Sequence, residues 1–374
     1  MTILGIETSC DETGVAVIQS NSKTNKINLI SNIVASSISL HSETGGIIPE
    51  IAAREQIEYI IPVLESALKE ASREEMVNGK PASPAGRWSI VNSIDAIAVT
   101  VGPGLIGSLL IGVETAKTLS YLWKKPIIPV NHLIGHIYAN WINEERKTNN
   151  EKRIIFPALA LIVSGGHTDL VLLRDHATPA MPAHSAGGRG KIKWLGGTRD
   201  DAAGEAFDKI GRLLNLPYPG GPSIEKEALK GNPMKFIFPK PMIGSGDFDF
   251  SFSGLKAAVF RKVQTMKQLN NQAISDISYA VQDAIVDVLV NKTLKAADKY
   301  KVKSLLLGGG VAANSKLRER FQSSIVNRKS SFKLFVPTKS LCTDNAAMIA
   351  SAAFYNYKPV DWRDITVNPE LYFY

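Results

Sequence analysis

Residues 3–18 read ILGIETSCDETGVAVI, an apolar run to Ile6, a polar stretch from Glu7 to Thr13, and a second apolar run from Gly14 to Ile18. That pattern predicts strand, turn, strand. Residues 158–173 read ALALIVSGGHTDLVLL, where Ala158 to Val163 and Thr168 to Leu173 flank the small polar turn Ser164-Gly165-Gly166-His167. The same unit recurs about half a chain later, which predicts a duplicated lobe. Outward from the first hairpin, Ile27 to Ala35 reads as a third strand. Ile94 to Val101, ending in Gly102-Pro103-Gly104, and Pro126 to Val130 read as buried strands. Outward from the second, short strands are expected near Ile192 to Leu195, at Lys303 to Leu307 before Gly308-Gly309-Gly310, and at Phe332 to Val336. Helices fall between them. The longest runs from Pro49 to about Ala71, with Ile57, Ile60, Ile61, Leu64 and Leu68 on one face and a kink expected at Pro62. Others cover about 106–123, 202–215, 254–267 and 274–297, one starts near Asn314, and one closes the chain to Tyr355. Ser72 to Val91 and Arg174 to Lys191 read as loop. Strands alternating with helices give an α/β fold.

The 374 residues exceed one ordinary core, so two domains are expected. A composition 44% hydrophobic and 21% charged is that of a globular protein. No apolar run approaches the ~20 residues that span a bilayer. The first residues carry no basic region and turn acidic by Glu7, unlike a signal peptide. Cys10 and Cys342 lie far apart and form no CxxC, which reads as reduced thiols in a cytoplasm. The net charge of +8 suits a polyanionic partner, although it is spread along the chain.

Two of the six histidines stand in Asn131-His132-Leu133-Ile134-Gly135-His136. Four residues apart on a helix, two imidazoles share one face, a spacing that suits a divalent transition metal. An ordinary pair of helix-packing histidines has the same spacing. A zinc peptidase of the HExxH type needs Glu after the first His, and this chain has Leu133. Among the carboxylates, Asp11 and Glu12 fall in the first hairpin turn, Asp200 and Asp201 precede a helix, Asp208 lies within it, and Asp344 follows a strand. Asp344 is either a helix N-cap or, with the two histidines, a third metal ligand. Ser164-Gly165-Gly166, Pro219-Gly220-Gly221-Pro222 and Gly308-Gly309-Gly310 could bring backbone N–H groups close to phosphate. None is a Walker loop. Two strand–turn–strand hairpins with a strand–GGG–helix is the arrangement by which actin-like and sugar-kinase-like lobes hold a nucleotide.

The motifs GIETSCDETGVAVI, GGIIPEIAAR, GPGLIGSLLIG, NHLIGH, LIVSGGHTDL, DDAAGEAFDK, YPGGP, DFSFSGLK, GGGVAANSKLR and CTDNAAMIA occur in this order over nearly the whole chain. Together they resemble the TsaD family, the transferase subunit of tRNA threonylcarbamoyladenosine synthesis, in its bacterial branch. The resemblance implies an actin-like (ASKHA) two-lobed fold of duplicated RNase H-like lobes. The expected division is 1–132 plus 345–374 for one lobe and 133–344 for the other. The implied reaction passes the threonylcarbamoyl group of threonylcarbamoyl-AMP to the exocyclic amine of the adenosine beside the anticodon, in tRNAs reading codons that begin with A. Carried over by motif, His132, His136 and Asp344 are the expected ligands of one iron or zinc ion. Ile162, Val163, Ser164, Gly165, Gly166, Asp208, Gly221 and Asn314 are expected to line the adenylate site, and Asp11 to be catalytic. Expected partners are tRNA, an inactive TsaB-like paralogue and a small TsaE-like ATPase. Gln56 stands where related chains often have His, and Ile134 where bacterial ones often have Glu. The tail Val367 to Tyr374 lacks the basic, proline-rich character expected of the family. The competing readings are a metallopeptidase, supported by HxxxH alone, and a non-catalytic ATP-binding scaffold.

Overall fold

A computed structural model describes residues 1–21, 26–77, 89–143, 153–175 and 192–373. They form two compact units, 1–143 with 344–373 and 153–175 with 192–343.

The first unit opens with β1 (Thr2–Glu7), β2 (Glu12–Asn21) and β3 (Lys26–Ser36), an antiparallel meander. Then come α1 (Ile38–Thr44), α2 (Pro49–Val77), α3 (Ser89–Ser93), β4 (Ala96–Gly102), α4 (Ile106–Trp123), β5 (Ile127–Asn131), α5 (His132–Tyr138) and the two-residue β6 (Ile142–Asn143). The sheet order is β5-β4-β1-β2-β3-β6, with β1, β4 and β5 parallel. All of β1 and β4 is buried, which explains why their apolar runs are continuous rather than alternating. Ile60, Leu64 and Leu68 of α2 pack with Leu4, Val17 and Val113 into one core. Ile57 and Ile61, expected on that face, are 61% and 54% exposed, so the buried stripe is narrower than the sequence suggests. Pro62 lies inside a continuous α2.

The second unit repeats the plan with β7 (Ala158–Val163), β8 (Thr168–Leu173) and β9 (Ile192–Gly197) as its meander. α6 (Ala203–Leu213), α7 (Gly220–Ala228), α8 (Ser253–Gln264), α9 (Asn271–Tyr300), β10 (Ser304–Gly308), α10 (Ser315–Asn327), β11 (Lys333–Phe335) and α11 (Lys339–Cys342) follow. Its sheet runs β11-β10-β7-β8-β9, again with two strands beside the meander parallel to its first strand. Apart from β6, the two sheets have the same order and directions, so the duplication read from the two hairpins is a duplication of whole RNase H-like sheets. Ile277, Val281, Ile285 and Val288 of α9 sit in this unit's core.

The chain then returns to the first unit as α12 (Ala346–Tyr355). α5 packs on α12 within the first unit: Ser351 Oγ donates to the Tyr138 carbonyl at 2.8 Å, and the Tyr138 and Tyr355 rings stack 5.2 Å apart. The unit boundary therefore falls between residues 143 and 153, where the sequence reading had it after His132, and Asp344 groups with the first unit rather than the second. Of the two stretches read as loop, 72–77 continues α2 and 89–93 forms α3, while 78–88 and 176–191 lie outside the described residues. Among the described residues no helix is long and apolar enough to cross a membrane.

Candidate metal centre

β5 ends at Asn131, whose side-chain oxygen accepts the N–H groups of Leu133 at 2.8 Å and Ile134 at 3.3 Å. This cap starts α5 at His132 and sets His136 one turn on, on the same face. The carboxylate that meets them, Asp344, comes from just before α12. There Asn345, not Asp344, is the N-cap, its oxygen accepting the Met348 N–H at 3.0 Å. The choice left open for Asp344 is thereby decided against a capping role. Gly135 faces α12, where a Cβ would lie 2.8 Å from Ile349 Cδ1, the movable end of that side chain.

Asp344 Oδ1 lies 3.2 Å from His136 Nε2 and 3.5 Å from His132 Nε2. The three residues offer ligand atoms all within 4.8 Å of one another. Bonds of about 2 Å at tetrahedral angles put ligand atoms about 3.3 Å apart. Both histidines are buried, and the Asp344 side chain keeps 19% of its exposure. His136 Nδ1 has no hydrogen-bond partner among the described residues, while Nε2 has Asp344 Oδ1 beside it at 3.2 Å. A buried imidazole left in that state is costly unless something else binds it. The donor set and its spacing fit a divalent metal.

The electrostatics agree. Burial by itself would lower the basicity of His132, but Asp344 and Glu7 outweigh it and hold its pKa up to about 9. Burial and the charge on His132 push His136 the other way, with Asp344 opposing. Without metal, the positive charge of the pair sits on His132, beside Asp344 and Glu7. Glu12 belongs to the same surroundings: burial, then the charges of Asp344 and Asp11, raise its carboxyl well above the usual range.

Asp11 is 6% exposed in the turn between β1 and β2. Three side chains hold that turn by its backbone. Gln56 Nε2 donates toward the carbonyls of Cys10 and Glu12 at 3.0 Å and of Thr8 at 3.4 Å. Ser108 Oγ donates to the Cys10 carbonyl at 3.1 Å, and Ser37 Oγ to that of Asp11 at 3.0 Å.

In the second unit the expected adenylate residues gather at the carboxyl ends of β7 and β10, where parallel sheets bind ligands. Ile162 pairs with Gly308, which sets the Ser164–Gly166 turn beside Gly308–Gly310. Gly309 takes φ +89°, and a Cβ there would meet the Val163 carbonyl oxygen at 2.3 Å. Asp208 accepts the Gly220 N–H at 2.7 Å, so it anchors the start of α7 beside Gly221 rather than lying on a solvated face. Glu225 of α7 accepts the N–H of Ser315 at 2.8 Å, and Asn314 caps α10 through Leu317 N at 3.0 Å. Asp200 and Asp201 are structural: Asp200 accepts from Phe252 N and from the hydroxyls of Ser251 and Ser253, and Asp201 pairs with Lys209 and Lys256.

A sequence model described as "TsaD: tRNA N6-adenosine threonylcarbamoyltransferase" matches residues 28–351. The chain belongs to the TsaD family. It is 43% identical over 372 residues to the tRNA N6-adenosine threonylcarbamoyltransferase of Moorella thermoacetica, covering 99% of this chain and 96% of that one. With the enzyme of the same name from Bacillus subtilis it shares 44% identity over 353 residues, 94% and 89% of the two chains. TsaD membership makes it a tRNA-modifying transferase. Full-length HypF in its phosphate- and nucleotide-bound form superposes with a TM-score of 0.53 at 10% identity, over 95% of this chain and 55% of that one. That likeness concerns the fold, which is of the actin-like type. Three residues were not singled out from the sequence for the roles they take here: Glu7 and Gln56 in the first unit, and Glu225 in the second. Each acts on a backbone or side chain far away in sequence.

Proposed function

We propose that this chain transfers the threonylcarbamoyl group from threonylcarbamoyl-AMP to the N6 amine of the adenosine following the anticodon, in tRNAs reading codons that begin with A. The convergence of His132, His136 and Asp344 in a TsaD-family chain is the observation that carries the reading. These three residues would hold one iron or zinc ion, since two imidazoles and a carboxylate suit either. When bound, the metal supplies a Lewis acid and template for donor oxygens.

The chain's own residues do the rest. An adenine amine is a weak nucleophile, because its lone pair is delocalised into the ring, so the donor has to be an activated mixed anhydride. As the amine nitrogen bonds to the carbamoyl carbon, the bond from that carbon to the phosphate oxygen breaks and AMP departs. Asp11 is the carboxylate assigned to take the amine's proton. The Ser164–Gly166 and Gly308–Gly310 turns, with Ile162, Val163, Asp208, Gly221 and Asn314, hold the adenylate, and backbone N–H groups face its phosphate. tRNA docks by phosphate contacts that weaken with salt. An inactive TsaB-like paralogue and a small TsaE-like ATPase complete the working assembly in the cytoplasm, and the isolated chain turns over poorly.

The peptidase reading lacks its general base, because Leu133 stands where the HExxH pattern needs Glu. The test follows labelled threonine into tRNA in the presence of the adenylate, with and without a chelator. Label on the adenosine after the anticodon, lost with the metal, is expected. Cleavage of a glycoprotein without nucleotide, and no labelled tRNA, would overturn the proposal.

A further inference from the structure

Glu7 ends β1 with its side chain buried to 1% exposure, a placement that is unfavourable for a carboxylate without strong partners. It has three. Oε1 accepts the Ser9 backbone N–H at 2.6 Å, while Oε2 accepts the Thr100 hydroxyl at 2.5 Å and lies 3.2 Å from His132 Nδ1. The sheet order makes this cluster. β1, β4 and β5 are neighbouring parallel strands, so Glu7, Thr100 and His132 emerge together at their carboxyl ends.

A carboxylate can only accept, so the nitrogen facing it carries the proton. With the proton on Nδ1, the lone pair of the neutral imidazole is on Nε2, the atom 3.5 Å from Asp344. We propose that Glu7 is a positioning residue, which fixes His132 in the Nδ1–H tautomer and presents Nε2 to a divalent metal. The inference rests on reading His132, His136 and Asp344 as the metal ligands. Carboxylate–imidazole–metal relays of this kind set ring orientation and ligand basicity, and losing the carboxylate typically weakens metal binding about 10–100-fold.

Ser9 provides the competing arrangement. Its hydroxyl lies 3.1 Å from the same Nδ1 and can donate or accept. While Glu7 is present, the hydroxyl has no say in the tautomer. In Glu7→Gln the amide has one accepting and one donating end, yet both positions face donors, Ser9 N–H on one side and Thr100 and His132 on the other. Either orientation sets N–H against N–H or turns an amide donor toward Nδ1. The Ser9 hydroxyl can then donate to Nδ1 as well, which moves the ring proton to Nε2, where the metal should bind.

Zinc affinity of the full chain, measured by chelator competition for wild type, Glu7→Gln and Ser9→Ala, separates these roles. Glu7→Gln should bind zinc about 10–100-fold more weakly, with the metal-free melting temperature within a few degrees of wild type. Ser9→Ala should stay within about threefold of wild type. A Glu7→Gln variant that folds and binds zinc as tightly as wild type overturns the role of Glu7 while leaving the metal reading intact. Wild type that takes up no zinc overturns both. Should Glu7→Gln fail to fold, the zinc-loaded wild type still decides. With six histidines to label, proton–nitrogen correlation spectra of the rings should show His132 protonated at Nδ1 and metal-bound at Nε2. The reverse assignment rules the proposal out.

Discussion

The turn joining β1 to β2 and the turn joining β7 to β8 occupy the same place in two copies of one sheet, yet they are built in opposite ways. The first, around Asp11, is enclosed. Gln56, Ser108 and Ser37 hold its carbonyls, and two glycines let other elements close on it, since a Cβ at Gly104 would sit 2.5 Å from the Ser9 carbonyl oxygen and one at Gly112 2.3 Å from Thr8 Oγ1. The second, Ser164 to His167, is held at its Ser164 end, where the Gly204 N–H donates to the Ser164 carbonyl at 3.1 Å, but its tip is open. Gly165 and Gly166 are exposed, and a Cβ at either would meet nothing within 4 Å. Duplication supplies two equivalent strand ends. One has become a fixed mount for a carboxylate, the other a bare strip of backbone that a ligand can approach.

The contrast is tested most severely on the enclosed side. Asp344→Ala removes the carboxylate that meets both histidines. Threonylcarbamoyl transfer to tRNA should fall by at least about 1,000-fold, while tRNA affinity stays within a few-fold, since metal and phosphate contacts are separate contributions. Transfer persisting at a tenth of the wild-type rate would mean that the cluster is not the reaction centre.

On the open side, two glycine substitutions should give different kinds of failure. Gly309→Val places a branched side chain at φ +89° and against the Val163 carbonyl, so the fold itself should suffer, with a loss of roughly 3 kcal/mol or more. Gly166→Val meets only open space in the free chain. Its melting temperature should stay within about 3 °C of wild type, while calorimetry should show adenine-nucleotide affinity reduced by about tenfold or more. Unchanged nucleotide affinity in folded Gly166→Val would remove this turn from the binding site.

The two sides also differed in how far the sequence disclosed them. Both hairpins were legible, because strands buried on both faces read as unbroken apolar runs and the turns between them are polar. His132 and His136 were legible from spacing on one helix. For Asp344 the residues left two readings, helix cap or third ligand, and only the family's motifs chose between them, since 208 positions separate it from His136 and only the packing of α12 on α5 closes that distance. Glu7 and Gln56 were illegible for the same reason. Glu7 meets groups 93 and 125 positions away, and Gln56 reaches carbonyls 44 to 48 positions back. Nothing in local composition marks a buried polar residue as someone else's support. Pro219-Gly220-Gly221-Pro222 read as a turn, but Asp208 accepts the Gly220 N–H and starts α7 there. A helix start and a turn share the same residues, and the difference lies in a partner elsewhere.

A more graded test uses pH. His132 has a folded-state pKa of about 9, above the ordinary value of 6.5. Its protonation therefore stabilises the metal-free protein fully below about pH 6.5, and that contribution is lost as pH rises through 9. A metal has to displace this proton. Apparent zinc affinity should therefore rise by about tenfold per pH unit between 6.5 and 9 and then level off. His136, lowered in pKa, is neutral throughout that window and should add no second proton. A flat profile would show that the carboxylates around His132 do not hold its charge as the geometry requires.

The smallest expected effect probes what makes the enclosed turn rigid. Gln56 is fully buried, and its amide nitrogen faces three carbonyls with only two hydrogens to share among them. Losing it strands acceptors in a dry place, at about 1–3 kcal/mol for the group left unsatisfied. Gln56→Leu keeps the bulk and removes the donors. The turn should loosen without losing Asp11 itself, so transfer should fall by several-fold while zinc affinity stays within about threefold, because the Gln56 amide bonds to carbonyls of the turn and to none of His132, His136 and Asp344. Gln56→Glu separates support from mere filling: a carboxylate against three carbonyl oxygens should be worse than Leu unless it takes up a proton, and activity should then recover as pH falls. If Leu and Glu behave alike at every pH, Gln56 only fills space, and the enclosed turn is held by Ser37, Ser108 and the close approach at Gly104 and Gly112 alone.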